Sequence, residues 1–384
     1  MIQKKPYYGI TIDVTDTPIE LFESDPYFSL YQSSFEIMKD CIEYAYNLLH
    51  ENNPLLFLPK LWIARNAEIN AWAENKDQIV VLSGLINKMH DHIEEHFSDQ
   101  RISKYHLCDV MNGQDIRRGI RIYAWRFFAM HELMHLWHGH NQWKAKHKYD
   151  NQGQLIDNLM KTVSIIYENN SSLINDNFQQ NLTSQAMEFD ADTTAIYLLI
   201  LFLLTDTESR EKAGMINNKT EYIGRQSTLL YSAIITVFDV LNGDKRAVFV
   251  TPEDSIVMRS HPINSLRANY SVISMIDGLS KFFDDIGKDQ TTLIENQWLR
   301  IGSETAYDEN GIDSWKNDYQ LEAFTSKEQD WLINIKKRLL EMYPALEQFS
   351  VLEFYNKVEK DDLELNQFSV FFSDEGHSLY GWKE

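Results

Sequence analysis

The chain is 384 residues long, and its 43% hydrophobic and 12% aromatic content is ample for a sizeable core, which excludes a tail or a linker. Its 57 acidic residues outnumber 36 basic ones for a formal charge of -21, so bulk electrostatics oppose adhesion to nucleic acid or anionic lipid. Only two cysteines occur, Cys41 and Cys108, far apart and outside any CxxC pair, which excludes a disulfide framework and a thiolate zinc site and fits a reducing compartment.

Residues 1–9 hold two lysines but no apolar run or small-residue cleavage site, so the reading is a cytoplasmic chain without a secretion signal. Tyr8, Ile10, Ile12 and Val14 alternate with Gly9, Thr11, Asp13 and Thr15, the period of a strand, and a helix is expected over 30–49. Two β-rich runs, 61–67 and 78–82, bracket a polar turn at 74–77 and predict two strands of a small sheet. Helices follow over 84–96 and 119–137, the second closed by Gly139 in a C-cap position. Lys144, Lys146, His147 and Lys148 then read as a solvated face.

Residues 168–181 are rich in Asn, Ser and Asp and predict a loop. The next helix begins near Ser184, carries Glu188, Asp190 and Asp192 on its first turns, and runs into the apolar stretch 195–204. That stretch is about half the ~20 residues a membrane helix needs, and 229–241 is interrupted by Ser232 and Asp239, so both read as buried core helices and no membrane span is expected. Further helices are predicted over 227–241, 265–283 and 326–342. Near 290 the composition turns acidic with scattered tryptophans, which divides a domain of residues 1–290 from a C-terminal region, 291–384. Trp315, Trp331 and Trp382 of that region pack a small core, bind a regulatory protein or cover the cleft.

The helix over 119–137 contains His131-Glu132-Leu133-Met134-His135, an HExxH. Residues four apart on a helix lie one above the other, so both imidazoles can grip one metal ion while Glu132, one step round, faces the water bound to it. Catalytic zinc takes three protein ligands, so a third is required. A downstream histidine of the HExxHxxGxxH type is ruled out, because Asn141 stands where it would be and His138 replaces the glycine. Glu188 is the best candidate, with Asp192 one turn on and able to accept the remaining N–H of a ligand histidine. Two readings compete with it: Asp190 or Asp192 is the ligand and Glu188 is structural, or all three acids merely suit a helix N-terminus. His138 and His140 read as extra histidines favourable at a helix C-terminus, with a metal role as the alternative.

With these blocks in hand the chain resembles the gluzincin metallopeptidases, and within them the HtpX and CaaX prenyl endopeptidase group. The family's NAFA, turn, I-x-V-x-x-GLL segment is similar to Asn70-Ala71-Trp72-Ala73 followed by Ile79 to Ile86, its EFEAD block to Glu188-Phe189-Asp190-Ala191-Asp192, and its HPxxxxR block to His261-Pro262 through Arg267. The four blocks cover about residues 60 to 270 in the family's order. Met134 stands where relatives have a small residue, Glu74 to Asp77 replaces a turn rich in Gly and Pro, and the membrane helices of many relatives are missing.

The resemblance implies an α+β, mainly helical zincin-like metallopeptidase with a small sheet on its N-terminal side and an added C-terminal region. It implies one Zn2+ per chain on His131, His135 and Glu188, with Asp192 behind a ligand histidine and Glu132 as general base for water attack on a peptide bond. His261 and Arg267 would lie near the reacting oxygen, and Asn70, Ala71, Trp72 and Ala73 would bind an extended peptide or protein substrate as an edge strand. The competing expectation is a catalytically silent or latent zincin-fold binding or sensor protein that meets a partner through 291–384.

Overall fold

Helices carry most of the described residues, and a four-stranded sheet lies on their N-terminal side in the sequence, an α+β arrangement that is mainly helical. The computed structural model describes residues 8–11, 26–51, 53–74, 77–98, 112–144, 178–242, 264–287, 291, 294, 298, 326–346 and 348–351. In chain order the elements are β1 (Tyr8–Thr11), α1 (Phe28–Leu49), β2 (Lys60–Ala64), β3 (Ala71–Glu74), β4 (Gln78–Leu82) and α2 (Ser83–His96). Next come α3 (Gly113–Trp137), α4 (Phe178–Lys212), α5 (Lys219–Asn242), α6 (Asn264–Gly278), α7 (Ser280–Ile286) and α8 (Ser326–Leu346).

The sheet order is β1-β2-β4-β3, with β1, β2 and β4 mutually parallel and β3 returning antiparallel along β4 as an edge strand. Leu61, Ile63, Ala71, Ala73, Ile79 and Val81 turn one face to the main core, while Ala64, Trp72, Val80 and Leu82 cluster on the other, as period-two alternation requires. The strand expected over 61–67 stops at Ala64 because the chain then folds over the start of α2. Gly84 N–H donates to Asn66 O at 2.7 Å, and a Cβ on Gly84 would lie 2.3 Å from Ala67 O, so only glycine fits this approach.

Helix α3 packs against α1, α4 and α5 at the centre of the molecule. Its start, six residues before the expected one, is set by Asn112, whose side chain accepts from Asp115 N–H at 2.9 Å while Asp115 adds negative charge to the first turn. From 127 to 141 every residue is buried, the pattern of a helix enclosed on all sides. Helix α4 is buried in the same way over 185–200 and lies along α3, so the two acidic and histidine-rich stretches meet in the interior. The single helix expected over 265–283 is two, broken at Leu279 after Gly278.

Described residues on both sides of position 290 share these cores. Ile294 and Trp298 join the main cluster, and Ile335, Leu339, Met342 and Leu346 of α8 pack with Ala186, Met187 and Phe189 of α4 and Tyr270 of α6. Beyond α8, Val351 N–H and Ser350 Oγ donate to Trp137 O at 2.8 and 3.2 Å, closing the last turn of α3. Among the described residues no helix is long and apolar enough to cross a membrane.

Candidate metal centre

Successive turns of α3 place His131 above His135, and α4 lays Glu188 across both. His131 Nε2 and His135 Nε2 are 3.1 Å apart, and each is 3.4 Å from an oxygen of Glu188. Tetrahedral coordination at zinc distances of about 2.0–2.1 Å requires donor atoms about 3.3–3.4 Å apart. The three side chains therefore match the size of a single small cation, and all three are buried. Glu132, next to His131 on the same turn, is also fully buried.

Behind His131 stands Asp192, one turn beyond Glu188 on α4, with Oδ1 2.8 Å from His131 Nδ1. Its carboxylate also takes Arg267 in a fork, Nε to Oδ2 at 2.8 Å and Nη2 to Oδ1 at 2.7 Å, and accepts a short bond from the Tyr270 hydroxyl. The Arg267 guanidinium lies over the Phe238 ring, 4.5 Å from its centroid. Burial opposes the charge on Asp192, but Arg267 and His131 outweigh it and hold the carboxyl below its ordinary range. Burial likewise disfavours the His131 cation, yet Asp192 and Glu188 raise it to about 9.

Behind His135 stands another imidazole. His135 Nδ1 is 3.0 Å from His140 Nδ1, His140 Nε2 is 3.0 Å from Asp190 Oδ2, and His138 Nδ1 is 2.5 Å from that same oxygen. His138, His140 and Asp190 are a second buried group of residue types that can hold a metal ion. Burial lowers His135 to about 3 and His140 to about 4, only partly offset by Glu188 and Asp190 respectively. The expectation of cationic histidines at the end of α3 thus fails for His140, because its ring is enclosed and not at the surface. Gly139 makes this arrangement possible. Its φ of +73° reverses the chain past the end of α3 and turns His140 back toward His135, the left-handed C-cap role in which glycine is favoured.

The next residue, Asn141, ties the same helix end to the sheet: its Nδ2 donates to Ala73 O at 3.0 Å. The bond from Leu82 N–H to Asn70 O sets the alternation along the β3–β4 ladder, which turns the N–H and C=O of Ala71 and Ala73 outward along the edge. Two of those four outward groups are engaged within the chain, since Ala71 N–H donates to Asn70 Oδ1 at 2.8 Å and Ala73 O accepts from Asn141.

The structure thus gathers His131, Glu132, His135, Glu188, Asp192 and Arg267 into one interior site and puts Asn70 to Ala73 at the nearby end of α3. His261 lies outside the described residues. Sequence reasoning did not pair His138 and His140 with Asp190, nor Tyr270 with Asp192. The signal available for the first was Gly139 between two histidines, a residue that can reverse the chain. No family model, no curated protein and no solved structure matches the chain.

Proposed function

We propose that the chain is a zinc-dependent endopeptidase of the gluzincin type, with a zincin-like core, acting on protein or peptide substrates. The observation that carries this reading is the buried triangle of His131, His135 and Glu188 at edges of 3.1 and 3.4 Å, with Glu132 on the same helical turn. Glu132, Glu188 and Asp192 are three buried carboxylates against the Arg267 guanidinium and the His131 imidazole, and a cation on the triangle would offset the remaining negative charge. Zinc held there would polarise the scissile carbonyl and lower the pKa of water.

The chain's own residues supply the rest. Glu132 takes the proton of the attacking water and carries it to the leaving amine nitrogen. Asp192 and the Nδ1–H of His131 keep that imidazole in the tautomer that offers Nε2 to the metal. Arg267 serves as a positioning residue for Asp192, because two of its nitrogens already bond that carboxylate. Substrate main chain would meet β3 through the outward Ala71 C=O and Ala73 N–H, which have no hydrogen-bond partner among the described residues.

The test compares wild-type protein with Glu132→Gln on an unfolded protein substrate and on a whole-cell proteome read for new N-termini. The expected result is equal zinc content in both, with cleavage by the wild type alone and loss of that cleavage on chelation. Cleavage by Glu132→Gln at the wild-type rate would sink the mechanism. Stoichiometric zinc without any cleavage by the wild type would favour a binding or sensor role for the same site.

A further inference from the structure

The two buried groups, His131 with His135 and Glu188 and His138 with His140 and Asp190, raise the question of one metal ion or two. They are joined by the contact between His135 Nδ1 and His140 Nδ1 at 3.0 Å. The proton count of neutral imidazole, one N–H per ring, decides between these alternatives. His135 turns Nε2 into the triangle, 3.1 Å from His131 Nε2, so its hydrogen sits on Nδ1 and points at His140. Two N–H groups cannot face each other at such a separation. His140 Nδ1 is therefore a bare acceptor, and the hydrogen of His140 is on Nε2, 3.0 Å from Asp190 Oδ2. A nitrogen that carries this hydrogen cannot bind a metal ion.

The distances agree. His138 Nδ1 and His140 Nε2 converge on one oxygen of Asp190, His140 at 3.0 Å, an ordinary hydrogen-bond length, and His138 closer still at 2.5 Å. Two donors sharing a metal stand about 3.3 Å apart, and 2.5 Å is too close for that. Taking His131, His135 and Glu188 as the metal triad, as proposed above, we infer that His140 is a positioning residue for the ligand His135. Its Nδ1 accepts the His135 Nδ1–H and its Nε2–H is anchored on Asp190, so the second group is a hydrogen-bonded relay and not a second metal site.

The test uses the full chain and Zn2+ alone, with metal content measured per chain, affinity measured by chelator competition, and the unfolding midpoint of the metal-free protein recorded for each variant. His140→Leu removes the acceptor. His140→Asn keeps one, because its Oδ1 stands close to where Nδ1 was, but loses the link to Asp190. The expected result is one zinc per wild-type chain, an affinity about 10–100-fold weaker in His140→Leu, and recovery of most of that loss in His140→Asn. Two zinc ions per wild-type chain would overturn the relay, and that measurement needs no variant to fold. Wild-type affinity in His140→Leu would overturn it as well. If His140→Leu does not fold, an equally large loss in His140→Asn does the same, since the acceptor is then not what matters. A wild-type chain that binds no zinc would remove the triad reading itself along with the relay. One zinc on the wild type with no effect of either variant removes the relay alone.

Discussion

His131 and His135 stand one helical turn apart on α3, yet the groups behind them differ in kind. Behind His131 a carboxylate, a guanidinium and a phenol are locked together: Asp192 is held by the Arg267 fork at 2.7 and 2.8 Å and by Tyr270. Behind His135 the first partner is a neutral ring, and the nearest carboxylate is one residue further off, at the far side of His140. On the His131 side the parts come from regular helices, α3, α4 and α6, whose packing fixes them. On the His135 side the key part comes from a reversal of the chain at Gly139. The first arrangement draws its hold from charge, the second from backbone shape, so different substitutions should damage each.

The largest effect is expected at Arg267. Replacing it with leucine removes the forked guanidinium from the buried Asp192 carboxylate and leaves it only His131 and Tyr270, and breaking a buried pair by removing one partner costs about 3–5 kcal/mol. Equilibrium denaturation of the metal-free chain should show that loss. A loss below about 1 kcal/mol would mean that His131 and Tyr270 alone suffice for Asp192, and the charged side of the comparison would fall.

The same contrast explains what could be read in advance. The HExxH pair and the i, i+4 spacing of Glu188 and Asp192 are legible because helical period is local, and the structure indeed brings these side chains together. Arg267 could be assigned to the neighbourhood of the site but not to Asp192, because that pairing depends on how α6 crosses α4. His140 and Asp190 were illegible for another reason. Periodicity ends at the helix terminus, and the course of the chain beyond it depends on one glycine's φ and on residues 50 positions away. Asn141, weighed only as the place of a missing ligand, proves to be a tether to Ala73. In the fold, alternation alone suggests three of the four strands; β3 is short, its Ala-Trp-Ala-Glu carries little β signal, and the edge strand at Asn70 to Ala73 is expected only through the resemblance.

A second test acts on backbone shape. Gly139→Ala places a side chain at φ +73°, where left-handed backbone costs about 1–2 kcal/mol for an L-residue. The new Cβ would also lie 2.4 Å from Phe349 Cβ and 2.7 Å from its carbonyl carbon, so the segment after α8 must shift. The combined loss should be about 2–4 kcal/mol, smaller than or equal to that at Arg267, with zinc binding weakened because His140 moves away from His135. The readout is the unfolding midpoint together with chelator competition. A variant with wild-type zinc affinity would show that the reversal does not hold His140 in place.

The smallest effect is expected at Asn141, and it separates the relay from its surroundings. Asn141 directly follows His140, but its side-chain hydrogen bond runs to Ala73 O on the edge strand. Asn141→Ala removes one buried donor, and the acceptor it leaves lies on a strand edge, so the loss in stability should be about 1 kcal/mol. Zinc affinity should not change. If β3 aligns substrate against Glu132, loosening the tether should still lower kcat/KM, by about tenfold for a displacement well under 1 Å. A fall in zinc affinity as large as that of His140→Leu would mean that the whole segment after α3 acts as one unit, and that no special weight belongs to the His140 acceptor. Unchanged affinity with reduced turnover would instead place two separate functions on adjacent residues of one turn, His140 facing the metal ligands and Asn141 facing the strand.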